Sequence, residues 1–344
     1  MKTLDQLSVV GLENQTASPH QYFTLRNTVI QHPYFCESVR EIAKLHLLKR
    51  NGHTDGGLVL VAQSGTGKST LLETYEKHFP RSVDGGMTTI PVLRVVTPEA
   101  PSVKAFTQQI LFAMGDRDNS NTNTTKKTQR IATLFKSCGV ELLLVDEFQH
   151  FFEGRRKAEG NRVADWLKNL LNETKIAVVL AGLPRSTEVL SFNPSLKRRC
   201  GTPFYFQPFG YTAESEQLHF RAVLKGLQTR LPLESVDLFE RNLARRFYFA
   251  SNGLLDYVVR ILDEAVQSSH LYGTTKLDLE SFEQAFVARI WKAAPKNLNP
   301  FSKKFVYRQL MQPGEPFCNW EDAEKRGLRR ANAGKNELGL RKAA

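Results

Sequence analysis

The sequence predicts an α/β fold: a parallel sheet covered by helices on both faces, followed by an all-helical segment. Three observations carry this. Short apolar runs (LVLVA at 58–62, VELLLVD at 140–146, KIAVVLAG at 175–182) alternate with stretches of helical spacing. Apart from Glu141, Asp146 and Lys175 near their ends, the runs are apolar instead of alternating, as suits strands buried on both faces. After Phe209 the strand pattern stops, and residues 213–229, 236–250, 254–269 and 278–293 all read as helices.

Taken in order, residues 1–20 are polar with little periodicity. Val39, Ile42, Ala43 and Leu47 then share one helical face. NGHTDGG breaks the chain before the first strand at 58–62. A glycine-rich loop and an amphipathic helix to about Phe79 follow. FPRSVDGG reads as a turn and 88–98 as a second strand, with Pro91 near its start. A helix is expected over 102–114, and 115–129 reads as an exposed loop running into the next helix. The third strand is 140–146, the next helix 161–173, the fourth strand 175–182 and a short fifth strand 202–209. The expected domains are an N-terminal helical segment (1–55), the α/β core (56–210), a helical domain (211–297) and a basic tail (298–344).

The chain has 344 residues, 41% of them hydrophobic and 24% charged, enough apolar side chains for a sizeable core. A net charge of +12 suits a polyanionic partner, most often nucleic acid. Cys36, Cys138, Cys200 and Cys318 form no C-x-x-C pair and have no histidine at zinc spacing, so free thiols are expected. No charged start followed by an apolar run marks a signal peptide, and no apolar stretch reaches the roughly 18 residues of a membrane span.

The first chemical signal is A-x-x-x-x-G-K-S at 62–69, between an apolar strand and a helix. That is the setting of a Walker A phosphate loop. Ser64, Gly65, Thr66, Gly67, Lys68, Ser69 and Thr70 are the candidate nucleotide-binding residues. Gly65 and Gly67 let backbone N–H groups close around a phosphate. Lys68 reaches β- and γ-phosphate oxygens, and Ser69 offers a hydroxyl to Mg²⁺. The helix N-terminus adds its dipole. Ala62 stands where a glycine is usual, a small residue where the strand bends into the loop.

The second signal is LLLVDEFQHFF. Asp146 ends a strand at its carboxyl side, where ligands sit in open α/β sheets. It is the candidate Mg²⁺ partner alongside Ser69. Glu147 is placed to polarise a water for attack on the γ-phosphate, which points to ATP hydrolysis instead of phosphoryl transfer to a small molecule. Gln149 and His150 follow. For His150, sensing nucleotide and capping the turn both stay open.

The chain resembles AAA+ ATPases, and more narrowly the TniB/TnsC family of transposition regulators. LVLVAQSGTGKSTLL, ELLLVDEFQHF, IAVVLAGLP and LKRRCGTPFYFQPF carry the resemblance, with FASNGLLDYVVRILDEAV similar to a lid helix. The resemblance covers roughly residues 20–295. It implies a P-loop AAA+ three-layer sandwich on a five-stranded parallel sheet with a C-terminal helical lid. It also implies a cytoplasmic ATPase that self-associates as a ring or helical filament on double-stranded DNA, linking a target-selection protein to a transposase. Arg198 and Arg199 then fall where an arginine finger completes a neighbouring subunit's site, with no choice between them. Two departures stand out. Many AAA+ proteins end the fourth strand with a polar side chain, whereas LAGLP offers Ala181 and Gly182, with Arg185 and Ser186 only later. The lid arginine is also displaced, since NGLLDYVVR has Asp256 and then Arg260 one turn on.

Candidate DNA contacts are Lys104, just inside a helix, and Thr124, Thr125, Lys126, Lys127 and Arg130, where hydroxyls and lysines meet at a helix start. A solvated loop accounts for the second group equally well. Arg155, Arg156 and Lys157 form a weaker third group, and the basic tail is a further surface for DNA or transposase. A helicase loader of the same fold and a signalling NTPase switch that binds only proteins are the competing readings. The positive charge speaks against the latter.

Overall fold

The computed structural model describes residues 23–52, 56–116, 123–152 and 157–318. These fall into two compact units, one built on residues 31–208 and the other on 209–318 together with 23–30. The segment expected as a separate N-terminal piece is thus shared between them.

In the first unit, α1 (Pro33–Arg50) precedes β1 (Gly57–Ala62) and α2 (Lys68–Lys77). A hairpin of β2 (Ser82–Asp84) and β3 (Met87–Thr89) leads to β4 (Val92–Val96). Helices α3 (Val103–Ala113) and α4 (Thr124–Ser137) lead to β5 (Leu142–Asp146). A 3₁₀ turn at Phe148–Phe152 and α5 (Lys157–Thr174) then lead to β6 (Ala177–Gly182). A second 3₁₀ turn at Pro184–Thr187, α6 (Glu188–Phe192) and α7 (Pro194–Cys200) close the unit on β7 (Phe204–Phe206).

The strands form one parallel sheet in the order β4-β5-β6-β1-β7. Its two faces are legible in the strand residues. Val59, Val61, Leu143, Val145, Val178 and Leu180 pack with Phe106, Ile110, Phe135, Leu167 and Leu170 of α3, α4 and α5. Leu58, Leu60, Leu142, Leu144, Val179 and Ala181 pack with Phe35, Ile42, Leu71 and Leu72 of α1 and α2. Successive side chains point to opposite faces, and both faces are covered, so β1, β5 and β6 are apolar up to Asp146, the last residue of β5. Each buried Leu or Val contributes about 1.5–3 kcal/mol, and Leu144→Ala would cost about 2–5 kcal/mol.

In the first unit the structure departs from expectation in two elements. On α1, Ile42, Val39 and Ala43 face the core as expected, but Phe35, Ser38 and His46 are buried with them while Leu47 is 58% exposed. His46 is held inside by polar partners: Nδ1 lies 3.1 Å from the Tyr75 hydroxyl and Nε2 lies 2.7 Å from Glu141. An apolar count could not register that. The expected strand 88–98 divides in two. Gly85 and Gly86, with φ of 55° and 81°, make a two-residue turn that pairs Asp84 with Met87. Pro91, which has no N–H to donate, separates this hairpin from β4.

In the second unit, helices α8 (Glu214–Gln228), α9 (Arg241–Ser251), α10 (Leu255–Tyr272) and α11 (Leu279–Arg289) dominate. A two-residue parallel pair, β8 (Glu234–Ser235) with β9 (Lys276–Leu277), was not expected. Phe247 packs edge-on against Phe282 and Phe301, at 5.1 and 4.9 Å between centroids. Phe301 and Leu310 are fully buried, so the first part of the expected tail is part of this core. No helix among the described residues is long and apolar enough to cross a membrane. Cys36, Cys138 and Cys200 are free thiols, and burial pushes that of Cys200 up to about 12.

Candidate active site

β1 delivers the chain to a loop at 63–67. Thr66 closes it, its hydroxyl donating to the Gln63 carbonyl at 2.8 Å. Gly65 and Gly67 have φ of 83° and 98°, in the left-handed region that only glycine enters freely. Gly67 caps α2 without any side-chain hydrogen bond. The first N–H groups of the helix therefore face the loop without a side-chain acceptor, an arrangement that suits an anion.

Lys68, at the start of α2, is 6% exposed. Its ammonium is ion-paired with Asp146 and lies 2.7 Å from Glu147 Oε1. Asp146, 2% exposed, ends β5. Its Oδ1 also accepts the Glu147 N–H at 2.9 Å, and its carbonyl accepts the Thr97 N–H at 2.9 Å. Glu147 has φ of 54°, a left-handed conformation for a non-glycine residue. That turn carries the chain abruptly from β5 into the 3₁₀ segment and leaves the carboxylate beside Lys68. One cation and two carboxylates thus meet at the carboxyl end of the sheet, two of the three buried.

The candidates Ser64, Gly65, Thr66, Gly67, Lys68, Ser69 and Thr70 are contiguous here. The buried cation facing a loop of positive-φ glycines at a helix N-terminus fits a nucleotide polyphosphate. No group of three His, Cys, Asp or Glu among the described residues could hold a metal alone. Two oxygens, from Ser69 and Asp146, suit magnesium, which keeps several waters and takes other ligands from phosphate.

Three polar residues around this cluster went unassigned in the sequence. Gln149 is 1% exposed. It donates through Nε2 to Glu147 Oε2 and accepts the Leu183 N–H on Oε1 at 3.0 Å. The Thr97 and Ser186 hydroxyls are buried without a hydrogen-bond partner. The one usable signal was Gly182, a glycine ending an apolar strand. A Cβ there would lie 2.2 Å from Ser186 Oγ and 2.4 Å from Gln149 Oε1. No polar side chain stands at the end of the fourth strand, where a Cβ would crowd the Ser186 hydroxyl and the Gln149 carboxamide.

Arg198 and Arg199 lie in the last turn of α7, whose first turn is capped by Asn193. Arg198 is exposed, whereas Arg199 is partly buried and donates to Asn172 of α5. Arg260 donates to Asp256 at 2.7 Å within α10.

The candidate DNA contacts separate. Lys104, Thr125 and Lys126 are exposed at the starts of α3 and α4, and Thr124 is half-buried. Asn123 caps α4 by accepting the Lys126 N–H at 2.9 Å. Lys127 does not belong with them: it is 5% exposed and its ammonium donates to Gln108 at 2.7 Å. Helical geometry turns it a full 100° from Lys126, onto the packed side. Arg130 is ion-paired with Asp116. Arg155 and Arg156 lie outside the described residues, as does the tail beyond residue 318.

A family model described as Bacterial TniB protein matches residues 23–209, more than half of the chain. This chain belongs to the TniB family. Among solved structures, the chain is similar to Cdc6p from Pyrobaculum aerophilum, with 12% identity, a TM-score of 0.59, and coverage of 82% of this chain and 72% of that one. It is also similar to the ORC2 protein of Aeropyrum pernix in ADPNP–ADP complexes, at 14% identity and a TM-score of 0.55, covering 75% and 68%. The ORC1 protein of the same organism, in complex with DNA, gives 14% and 0.55 over 77% and 67%. At these identities the likeness speaks for the fold. The TniB protein has the P-loop AAA+ fold, with the five-stranded parallel sheet that its sequence predicts. No curated protein matches the chain.

Proposed function

We propose that this TniB protein is an ATPase that assembles as a ring or filament on double-stranded DNA and links target selection to recruitment of a transposase. The observation that carries the reading is the Lys68–Asp146–Glu147 cluster, which joins the carboxyl end of β5 to the first residue of the helix after the phosphate loop.

Lys68 exchanges its two carboxylate partners for β- and γ-phosphate oxygens when ATP enters, with Ser64 to Thr70 closing around the chain of phosphates. Ser69 and Asp146 would hold Mg²⁺, which offsets phosphate charge when bound. Released from Lys68, Glu147 accepts a proton from the water whose oxygen bonds to the γ-phosphorus as the bond to ADP breaks. Arg198 of a neighbouring copy stabilises the charge on the transferred group. Its exposure supports it over Arg199, which is engaged with Asn172. Hydrolysis then depends on assembly. Lys104, Thr124, Thr125 and Lys126 grip DNA phosphates without reading sequence, in keeping with the net charge of +12.

The test is co-sedimentation with duplex DNA under ATP, ADP and no nucleotide, run beside an ATPase assay. The reading expects retention with ATP and release as ADP forms. DNA retention indifferent to nucleotide would end it.

A further inference from the structure

The Glu147 carboxylate has two partners: Lys68 on Oε1 and the Gln149 carboxamide on Oε2. They differ in permanence. Lys68 is the residue whose charge a phosphate chain would claim. Gln149 is fully buried and fixed at its other end, where its oxygen accepts the Leu183 N–H at the exit of β6. The neighbouring strand supports this placement, since Gly182 lacks the Cβ that would lie 2.4 Å from Gln149 Oε1 and 3.1 Å from its backbone nitrogen. β5 and β6 are adjacent, so the carboxamide bridges the ends of two paired strands.

We propose that Gln149 is a positioning residue for hydrolysis: anchored on the Leu183 backbone, it holds one oxygen of Glu147 so that the other, once Lys68 has turned to phosphate, faces the attacking water. This rests on the ATPase reading above. The physical basis is orientation. A freely rotating carboxylate spends little time aligned with a water, and a small misplacement of a catalytic group costs on the order of 100-fold in rate. Gln149 touches neither substrate nor water and acts only through Glu147.

Two substitutions test this. Gln149→Met keeps length and approximate volume but removes both hydrogen bonds. Gln149→Glu places a second carboxylate against Glu147 at neutral pH. Once protonated, that glutamic acid is isosteric with glutamine and restores both bonds, donating from O–H and accepting on C=O. Nucleotide dissociation constants, measured with a fluorescent ATP analogue, and steady-state ATPase rates are compared with wild type from pH 5.5 to 8.

The expected result for Gln149→Met is a kcat about 10- to 100-fold below wild type, with nucleotide affinity within about threefold. For Gln149→Glu, the rate relative to wild type rises at least fivefold from pH 8 to pH 5.5. A merely structural role would lower binding and rate together and would show no rescue in acid, and that pattern overturns the proposal. So does a Gln149→Met variant with a wild-type kcat. If Gln149→Met does not fold, the acid rescue of Gln149→Glu decides alone. Wild-type protein without ATPase activity would overturn the reading of the site and this inference with it. Active wild type beside an equally active Gln149→Met overturns only the inference.

Discussion

The ammonium of Lys68 sits between two carboxylates, ion-paired with Asp146 and 2.7 Å from Glu147 Oε1. The cation proposed to meet phosphate is therefore partnered by the two carboxylates proposed to serve the metal and the water. Lys68 and Asp146 are both almost fully buried, so removing the lysine strands a buried negative charge. Lys68→Ala should lower the stability of nucleotide-free protein by about 3 kcal/mol in urea denaturation. It should also abolish the rise in melting temperature that wild type gains from ATP. An unchanged rise would show that Lys68 does not meet phosphate.

Glu147→Gln keeps the shape of the side chain and removes the proton acceptor. Nucleotide should still bind, hydrolysis should fall at least about 100-fold, and assemblies on DNA with ATP should persist. Electron microscopy checks this. Fewer and shorter assemblies than wild type would contradict the role given to Glu147.

Arg198 and Arg199 are adjacent in sequence but differ in surroundings. Arg198→Ala should lower DNA-dependent ATPase activity by about 10³-fold or more while leaving nucleotide affinity near normal. Mixing it with Lys68→Ala protein should restore part of the rate, because the second protein supplies an intact arginine to the first one's intact phosphate loop. Arg199→Ala should instead lower thermal stability through loss of its contact with Asn172. Failure of the mixture to recover activity would count against action between subunits.

Lys104 and Lys126 are exposed, whereas Lys127 is buried on Gln108. Replacing Lys104 or Lys126 by alanine should weaken DNA binding across sequences and reduce the salt slope by about 1 each. Lys127→Met should leave the slope unchanged and act only through loss of the hydrogen bond to Gln108. Equal slopes for all three variants would place the DNA elsewhere.

His46 links the first unit's stability to pH. Burial lowers its pKa below the ordinary value near 6.5, and the hydrogen bond and charge of Glu141 offset only part of this. Glu141 feels burial too, which raises its pKa, but hydrogen bonds from Arg50 and His46 bring it below the usual carboxylate value. As pH falls below about 6.5 the unfolded chain protonates His46 before the folded one does, so stability declines. The Glu141 contribution, present at higher pH, declines in turn below about 4.5. Urea midpoints should fall from pH 7.5 to pH 5.5 in wild type and fall less in His46→Gln. Parallel declines would place the titration elsewhere.

The strands, their parallel order of appearance and the phosphate loop were legible because each depends on local pattern. A strand covered on both faces needs an unbroken apolar run, and a phosphate loop needs glycines of positive φ between a strand and a helix. The burial of His46 in α1 was not legible, since it depends on hydrogen bonds to Tyr75 and Glu141, far off in sequence. Nor was the contrast between Lys126 and Lys127, which composition treats as one basic pair.

By itself the sequence determined a P-loop α/β unit followed by helices, and placed Lys68, Asp146 and Glu147 at the ends of their elements. The tertiary structure decided what stands around them. Gln149 meets Leu183 because β5 and β6 are neighbours in the sheet, and Gly182 leaves room for that carboxamide and the Ser186 hydroxyl. Local spacing specifies what an element is and which way its side chains point. Which distant backbone group a buried polar side chain finds is set by strand order, and no stretch of residues encodes that alone.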